Sequence, residues 1–171
     1  MFSFFIRKKI LLSGWVLLFL VFFVAVIGNN DVRAESEGLE YRNKIFLFGG
    51  LTQEDSEIDG TLGLGYEYLF TELLGIAGMA EFTSGEVERK MAFGLGATIH
   101  PYAGLYFLIG PGFEIVDRKH EGDEEFFMFR LSIGYEFELT PRWYLAPEFN
   151  VDFVSGGENA LVYGVVLGYA F

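Results

Sequence analysis

The sequence contains no cysteine, which excludes a disulfide framework and any thiolate metal site. Basic residues are scarce once the first 34 residues are set aside. The remainder keeps 8 of the 12 Lys and Arg residues and 23 of the 24 Asp and Glu residues, hence a formal charge of −15. Phosphate binding needs clustered cations, so this composition excludes nucleic acid as a partner.

An uncharged run lies near the amino terminus, behind a short basic stretch. Basic residues at positions 7–9 precede the uncharged run 10–28, and a short polar region then ends at Ala34 with small residues where signal peptidase needs them. An uncleaved membrane helix is the alternative, because the run could nearly span a bilayer. We predict that residues 1–34 are a cleaved signal peptide, that 35–40 form a short leader, and that one domain covers 41–171.

The last eleven residues, 161–171 (LVYGVVLGYAF), alternate between bulky apolar and smaller side chains. This period of two predicts a β-strand. The bulky set is Leu161, Tyr163, Val165, Leu167, Tyr169 and Phe171. A closing strand that ends on an aromatic residue is typical of bacterial outer-membrane barrels, in which the last strand pairs with the first and faces lipid.

Turn residues and alternation divide the rest of the domain in the same way. We predict eight strands at 42–51, 61–70, 74–83, 90–99, 105–116, 126–139, 143–154 and 160–171. The connections alternate between tight turns, at 71–72, 100–104 and 140–142, and more polar, mostly acidic loops, at 52–60, 84–89, 117–124 and 155–158. An outer-membrane barrel has tight turns on the periplasmic side and longer loops outside.

The charged residues share a face with glycine, while large apolar residues occupy the other face. The sixth strand is the clearest: it sets Phe127, Phe129, Leu131, Ile133, Tyr135, Phe137 and Leu139 against Met128, Arg130, Ser132, Gly134, Glu136 and Glu138. A soluble eight-stranded barrel of the lipocalin type has the opposite arrangement. We therefore predict an all-β, eight-stranded antiparallel up-and-down transmembrane β-barrel with a polar interior filled by side chains. The first strand is apolar on both faces, and composition does not orient it.

An interior charge network follows from these faces. Its predicted members are Lys44, Glu67, Glu81, Lys90, Glu114, Arg130, Glu136, Glu138, Glu148 and Asp152. Folding the hairpins places Arg130 opposite Asp152 with Glu114 on the diagonal, Lys44 opposite Glu67, and Glu81 opposite Lys90. Arg42, Arg142 and His100 are candidate partners for the remaining carboxylates. The network is interpreted as structural, and a gate or proton path is the alternative.

Catalytic and metal chemistry find little support. The histidines are His100, at a predicted turn, and His120, in an acidic loop, and neither has a serine at a matching outward position. Ser132 is predicted to face inward. The acidic stretches 54–59 and 121–125 lack the ligand spacing of a dedicated calcium loop and are interpreted as solvated loops. We predict no enzymatic activity, no cofactor and no metal site.

Several stretches together resemble the small OmpX/OmpA-type outer-membrane β-barrel proteins. They are FGGLTQ at 48–53, LGLGYEY at 62–68, GIAGMAEF at 75–82 and VYGVVLGYAF at 162–171. The resemblance covers nearly all of 41–171. It implies that the barrel-assembly machinery reads a terminal signal formed by Tyr163, Val165, Leu167, Tyr169 and Phe171.

The resemblance also implies a place in the bacterial outer membrane, contact with its lipid, and a monomer. The loops are shorter and more acidic than those of the adhesive members of the family, and no peptidoglycan-binding domain follows the barrel in this sequence. We therefore expect a structural or surface-interaction role with an unknown surface ligand. The alternative is a narrow or gated channel for protons or small ions.

Overall fold

The computed structural model describes residues 41–55, 57–85, 88–118, 122–156 and 159–171. The predicted signal peptide, the leader and His120 lie outside these described residues. Within them, no helix is long and apolar enough to cross a membrane.

One antiparallel sheet contains all the strands of the described chain. They are β1 (Asn43–Glu54), β2 (Glu57–Leu69), β3 (Leu74–Ser84), β4 (Glu88–Tyr102), β5 (Leu105–Arg118), β6 (Gly122–Tyr135), β7 (Phe137–Glu138), β8 (Trp143–Val154) and β9 (Ala160–Ala170). The two-residue β7 continues β6 beyond Glu136, whose amide leaves the ladder and donates instead to the Gly104 carbonyl at 2.6 Å. Counted as one strand, β6 and β7 bring the total to the predicted eight.

The sheet closes on itself. Each strand pairs with the next along the chain, and β1 also pairs with β9 in continuous register from Lys44↔Ala170 to Glu54↔Ala160. Backbone bonds between Asn43 and Phe171, at 3.1 and 2.8 Å, complete the seam. The predicted closed, eight-stranded up-and-down barrel is confirmed.

The acidic connections are shorter than predicted. β1 runs to Glu54 and β2 starts at Glu57, so most of the predicted loop 52–60 belongs to the ladder. The loops predicted at 84–89 and 117–124 shrink in the same way. Polar and charged residues at a solvated barrel rim can still form backbone hydrogen bonds with the neighbouring strand. A prediction based on side-chain polarity therefore ended these strands too early. The end of the barrel that carries these connections is called the loop end, and the opposite end the turn end.

Large apolar side chains cover the outside of the barrel. Leu62, Leu64 and Phe127 are 70%, 60% and 59% exposed, whereas inward residues of the same strands, among them Thr61, Glu67, Met128 and Arg130, are buried. The structure also orients β1, with Phe46 and Phe48 inward and Ile45 and Leu47 outward. The reason is space: the ring of Phe46 lies over Gly65, and that of Phe48 lies over Gly50 and Gly164. Phe-sized side chains enter the narrow interior only where a neighbouring strand offers glycine.

Tyrosine and tryptophan concentrate on the outer face of the turn end. Tyr66, Tyr102 and Trp143 are 44%, 63% and 45% exposed. The rings of Trp143 and Tyr169 lie 5.0 Å apart, and Tyr169 stacks on Phe171. Amphipathic rings of this kind favour a boundary between an apolar medium and water.

Candidate functional site

The centre of the barrel interior holds a buried arginine between two carboxylates. Arg130, on β6, is 2% exposed. Its guanidinium donates to both carboxylate oxygens of Asp152, each at 2.6 Å, and to Glu81 Oε2 at 2.6 Å. Asp152 lies directly opposite Arg130 in the β6–β8 register, as predicted, whereas Glu81 reaches it across the lumen from β3. A fork that binds two carboxylates from opposite walls fixes the interior in one geometry.

A second cluster lies near the turn end. Lys44 Nζ donates to both oxygens of Glu136, at 2.7 and 2.8 Å, and lies 3.4 Å from Glu67 Oε2. Glu67 also meets His100 Nε2 at 2.8 Å. The predicted register of Lys44 opposite Glu67 is confirmed. His100, predicted as a candidate partner for the remaining carboxylates, belongs to β4, faces the lumen and pairs with Glu67 instead.

Between the two clusters a carboxylate is held by neutral donors. Tyr106 Oη donates to Glu148 Oε2 at 2.5 Å, and Asn150 Nδ2 donates to Glu148 Oε1 at 3.0 Å. Beside this group lies a cavity of about 30 Å³, lined in part by Glu67, Glu136 and Glu148. The cavity has room for about one or two water molecules and polar groups to bind them.

Towards the loop end a third group of polar side chains fills the lumen. Lys90 contacts Glu54 and lies 3.0 Å from Glu88. The hydroxyls of Thr52, Thr61 and Thr83, on three neighbouring strands, form a buried cluster with separations of 2.5, 2.9 and 3.4 Å. Hydroxyls both donate and accept, so this cluster satisfies itself without water.

Apolar side chains close the other wall at this level. Val116, Met128, Val154, Ala160 and Val162 are at most 7% exposed and point inward from β5, β6, β8 and β9. Together with the buried Arg130 and the threonine cluster, they occupy the loop half of the described lumen. An eight-stranded barrel is just wide enough for such filling.

Two predicted pairings within the charge network are wrong. The β3–β4 register places Lys90 opposite Thr83 and Glu81 opposite Ala92, so Glu81 is free to bind Arg130 instead. The predicted diagonal between Glu114 and Arg130 also fails, because Gly110 lies opposite Arg130. Glu114 is four residues further along β5, roughly 13 Å away along the strand. Glu114 is buried opposite Ala92, two residues along β4 from Lys90.

The other candidate members lie near the rim. Glu138 is exposed at the turn end. Arg42 donates to the Phe70 carbonyl at 3.3 Å. Arg142 lies in a surface turn, where its guanidinium donates to Tyr169 Oη at 3.0 Å, and hydrogen bonds to Tyr41 and Tyr169 raise its pKa above the usual value. The arginines therefore bind rim groups rather than the interior carboxylates for which they were considered.

Four aromatic residues lie in the interior; the alternation of the seventh predicted strand had indicated an inward face for Tyr144, whereas Phe46, Phe48 and Tyr106 were not assigned to a face. Phe46, Phe48, Tyr106 and Tyr144 face inward, and the last two rings lie over Gly134 and Gly168. Tyr144 also carries the Lys44 ammonium 5.2 Å from its ring centre. The available signal was parity: each lies at an inward position next to a strand with an inward glycine.

We expect Tyr106→Phe to lower the free energy of unfolding by about 1–2 kcal/mol, because it removes a buried hydrogen bond to a carboxylate. Urea titration of the protein folded in detergent measures the change. Tyr66→Phe is the matched control: its hydroxyl donates to Asn43 at 2.6 Å, but on the exposed outer face. Equal losses in the two variants would contradict a structural role for the Tyr106–Glu148 bond.

The residues of the predicted assembly signal share one face of β9. Val165, Leu167 and Phe171 are 42%, 40% and 48% exposed on the outside, and Tyr163 and Tyr169 are half-buried on the same face. The signal's reading by assembly machinery stays a prediction. Among the residues that the structure describes, no three His, Asp or Glu side chains form a metal-binding group.

Comparisons with known proteins point to one fold. No family model and no curated protein matches the chain. Among solved structures, it is similar to Ail, the attachment invasion locus protein of Yersinia pestis, with 15% identity, a TM-score of 0.55 and coverage of 77% of this chain and 99% of Ail. It is also similar to the N-terminal β-barrel domain of Pseudomonas aeruginosa OprF, with 15% identity, a TM-score of 0.58 and coverage of 79% and 100%.

Neisserial surface protein A gives a comparable match, with 10% identity, a TM-score of 0.58 and coverage of 80% of this chain and 100% of that protein. At these identities the likeness concerns the fold. The resemblance to small barrels of the OmpX/OmpA type is confirmed at that level.

Proposed function

We propose that this chain is an integral β-barrel of the bacterial outer membrane with a structural or surface-interaction role. The observation that carries the proposal is the distribution of polarity: large apolar residues cover the outside, while charged residues form buried clusters within. This arrangement is unfavourable in water and favourable in lipid. The fold it shares with Ail, OprF and NspA supports the same placement.

The side chains buried in the lumen favour a non-catalytic, non-conducting barrel. Arg130 binds carboxylates from two walls, and apolar and threonine side chains complete the section on its loop side. The role then rests with the outer surface and the rim. We propose outer-membrane lipid as the surrounding medium, the barrel-assembly machinery as a partner during insertion, and a monomer as the working form.

Expression of the full chain with its signal tests this proposal. We expect the protein in the outer-membrane fraction, with an amino terminus at Glu35 and a gel mobility that changes on boiling because a closed barrel resists detergent at low temperature. A heat-indifferent band in the inner membrane, beginning at Met1, would contradict both the signal peptide and the lipid-facing assignments.

A narrow or gated channel for protons or small ions is the second candidate. The cavity beside Glu67, Glu136 and Glu148 favours it, since carboxylates and water could relay cations through the turn half of the lumen. Planar-bilayer recording separates the two functions. We expect silence from the plugged barrel, and steady openings would support the channel.

A further inference from the structure

A groove of about 500 Å³ crosses the outer face of β4, β5 and β6. It is lined by Phe93, Leu95, Pro111, Phe113, Phe126 and Phe127, by Gly94 and Gly112 between them, and at one edge by Glu125. Apart from Phe126, its lining side chains belong to outward positions of the strands, and none of its lining residues belongs to the charged clusters of the interior.

A row of aromatic rings forms one wall. Phe93 lies opposite Phe113 across β4 and β5, with ring centres 5.1 Å apart and planes 24° from parallel. Phe113 in turn lies opposite Phe127 on β6. On the turn side of this row is Pro111, whose compact ring has no N–H to donate to the ladder. Because proline is smaller than the three phenylalanine side chains beside it, the outer surface has a depression at Pro111.

The loop-end rim of the groove is acidic. Glu125 is the next outward residue beyond Phe127, roughly 7 Å along the strand. Asp117 and Asp123 lie directly opposite each other at the following level, and Arg89 lies opposite Asp117. All four side chains are exposed, and together they carry a formal charge of −2. Directly opposed carboxylates destabilise a strand pair unless a cation comes between them.

We propose that the groove binds one acyl chain of an ethanolamine phospholipid, whose ammonium pairs with Glu125 and Asp123. This inference rests on the proposed function, because it requires the outer face to lie in lipid. The apolar lining accounts for the chain, and the acidic rim accounts for the headgroup. An anionic lipid would fill the same groove with its charge against like charge, so the rim discriminates between headgroups.

The test uses the folded protein in detergent with equal amounts of phosphatidylethanolamine and phosphatidylglycerol, and counts bound lipid by native mass spectrometry. We expect wild type to retain the ethanolamine lipid preferentially. Glu125→Gln should reduce this preference about threefold, the effect of one exposed ion pair. Leu95→Trp should reduce retention of both lipids, because the indole fills the groove.

Matched controls are available on the same barrel. Leu64→Trp replaces an outward leucine of β2 that is 60% exposed, against 56% for Leu95, and Glu138→Gln removes an exposed carboxylate at the turn end. Both should leave retention unchanged.

Equal retention of the two headgroups by wild type would overturn the proposal, as would equal effects of Leu95→Trp and Leu64→Trp. Retention that depends on calcium and disappears with a chelator would also overturn it, since a bridged phosphate would then replace the ammonium. Each variant is checked for heat-dependent gel mobility. If the wild-type barrel shows heat-dependent gel mobility but no lipid preference, the proposed lipid site is disproved and the proposed function is not. If the wild type lacks heat-dependent gel mobility, the proposed function is disproved.

Discussion

Arg130→Ala is expected to lower the free energy of unfolding by about 3–5 kcal/mol, the usual cost of leaving a buried charge pair without one partner. The substitution leaves Glu81 and Asp152 buried and facing each other without the guanidinium that binds both. Folded domains are stable by only about 5–15 kcal/mol, so a large part of the total would be lost. Urea titration in detergent, followed by the heat-dependent gel shift, measures it.

A neutralised triple variant separates charge from packing. Arg130→Met combined with Glu81→Gln and Asp152→Asn removes all three charges while keeping most of the volume, and should recover part of the loss. Arg42→Ala is the control, because Arg42 is exposed and its guanidinium donates a hydrogen bond to the Phe70 carbonyl at the rim. An unchanged unfolding midpoint for Arg130→Ala would disprove the central cluster.

Gly164→Ala is expected to destabilise the closing seam by about 1–3 kcal/mol, the range for forced overpacking. Gly164 on β9 lies opposite Gly50 on β1. A Cβ at Gly164 would lie 2.6 Å from the Gly50 Cα and 2.8 Å from the Phe48 ring, and would also press on the Gly49 carbonyl. Backbone atoms of a paired strand cannot swing aside as a flexible side chain can, so β1 and β9 must separate.

The matched control lies on the same seam. Gly49→Ala points outward, where the nearest atom to its Cβ is Leu62 Cδ2 at 3.9 Å, an ordinary contact. We expect Gly49→Ala to unfold at the wild-type urea concentration and Gly164→Ala to unfold earlier and to lose its gel shift at a lower temperature. Equal behaviour of the two variants would show that the seam tolerates a methyl group.

Hairpin register was predictable where the position of the turn was clear. Lys44 opposite Glu67 and Arg130 opposite Asp152 both follow from counting residues to either side of a connection. The same count failed for Glu81 and Lys90, because the tip of that hairpin lies one residue further along than assumed. A one-residue shift of the tip moves the partner by two positions.

Partners across the lumen could not be predicted in this way. Glu81 binds Arg130 from a strand three positions away in the sheet, and Lys44 reaches Glu136 from the other side of the closure. Such contacts depend on the stagger and tilt with which the sheet closes, which no pair of adjacent strands specifies.

The sequence by itself determined the number of strands, their antiparallel order and the two faces of the strands that alternate clearly, because a period of two and turn residues are local properties of the chain. Only the tertiary structure decided the orientation of β1, the strand ends at the acidic rim and the cross-lumen partners of Arg130, Lys44 and Glu148. Those depend on where glycine leaves room for Phe46 and Phe48, and on which walls face each other after closure. Both are consequences of closing the sheet, which joins residues far apart in sequence.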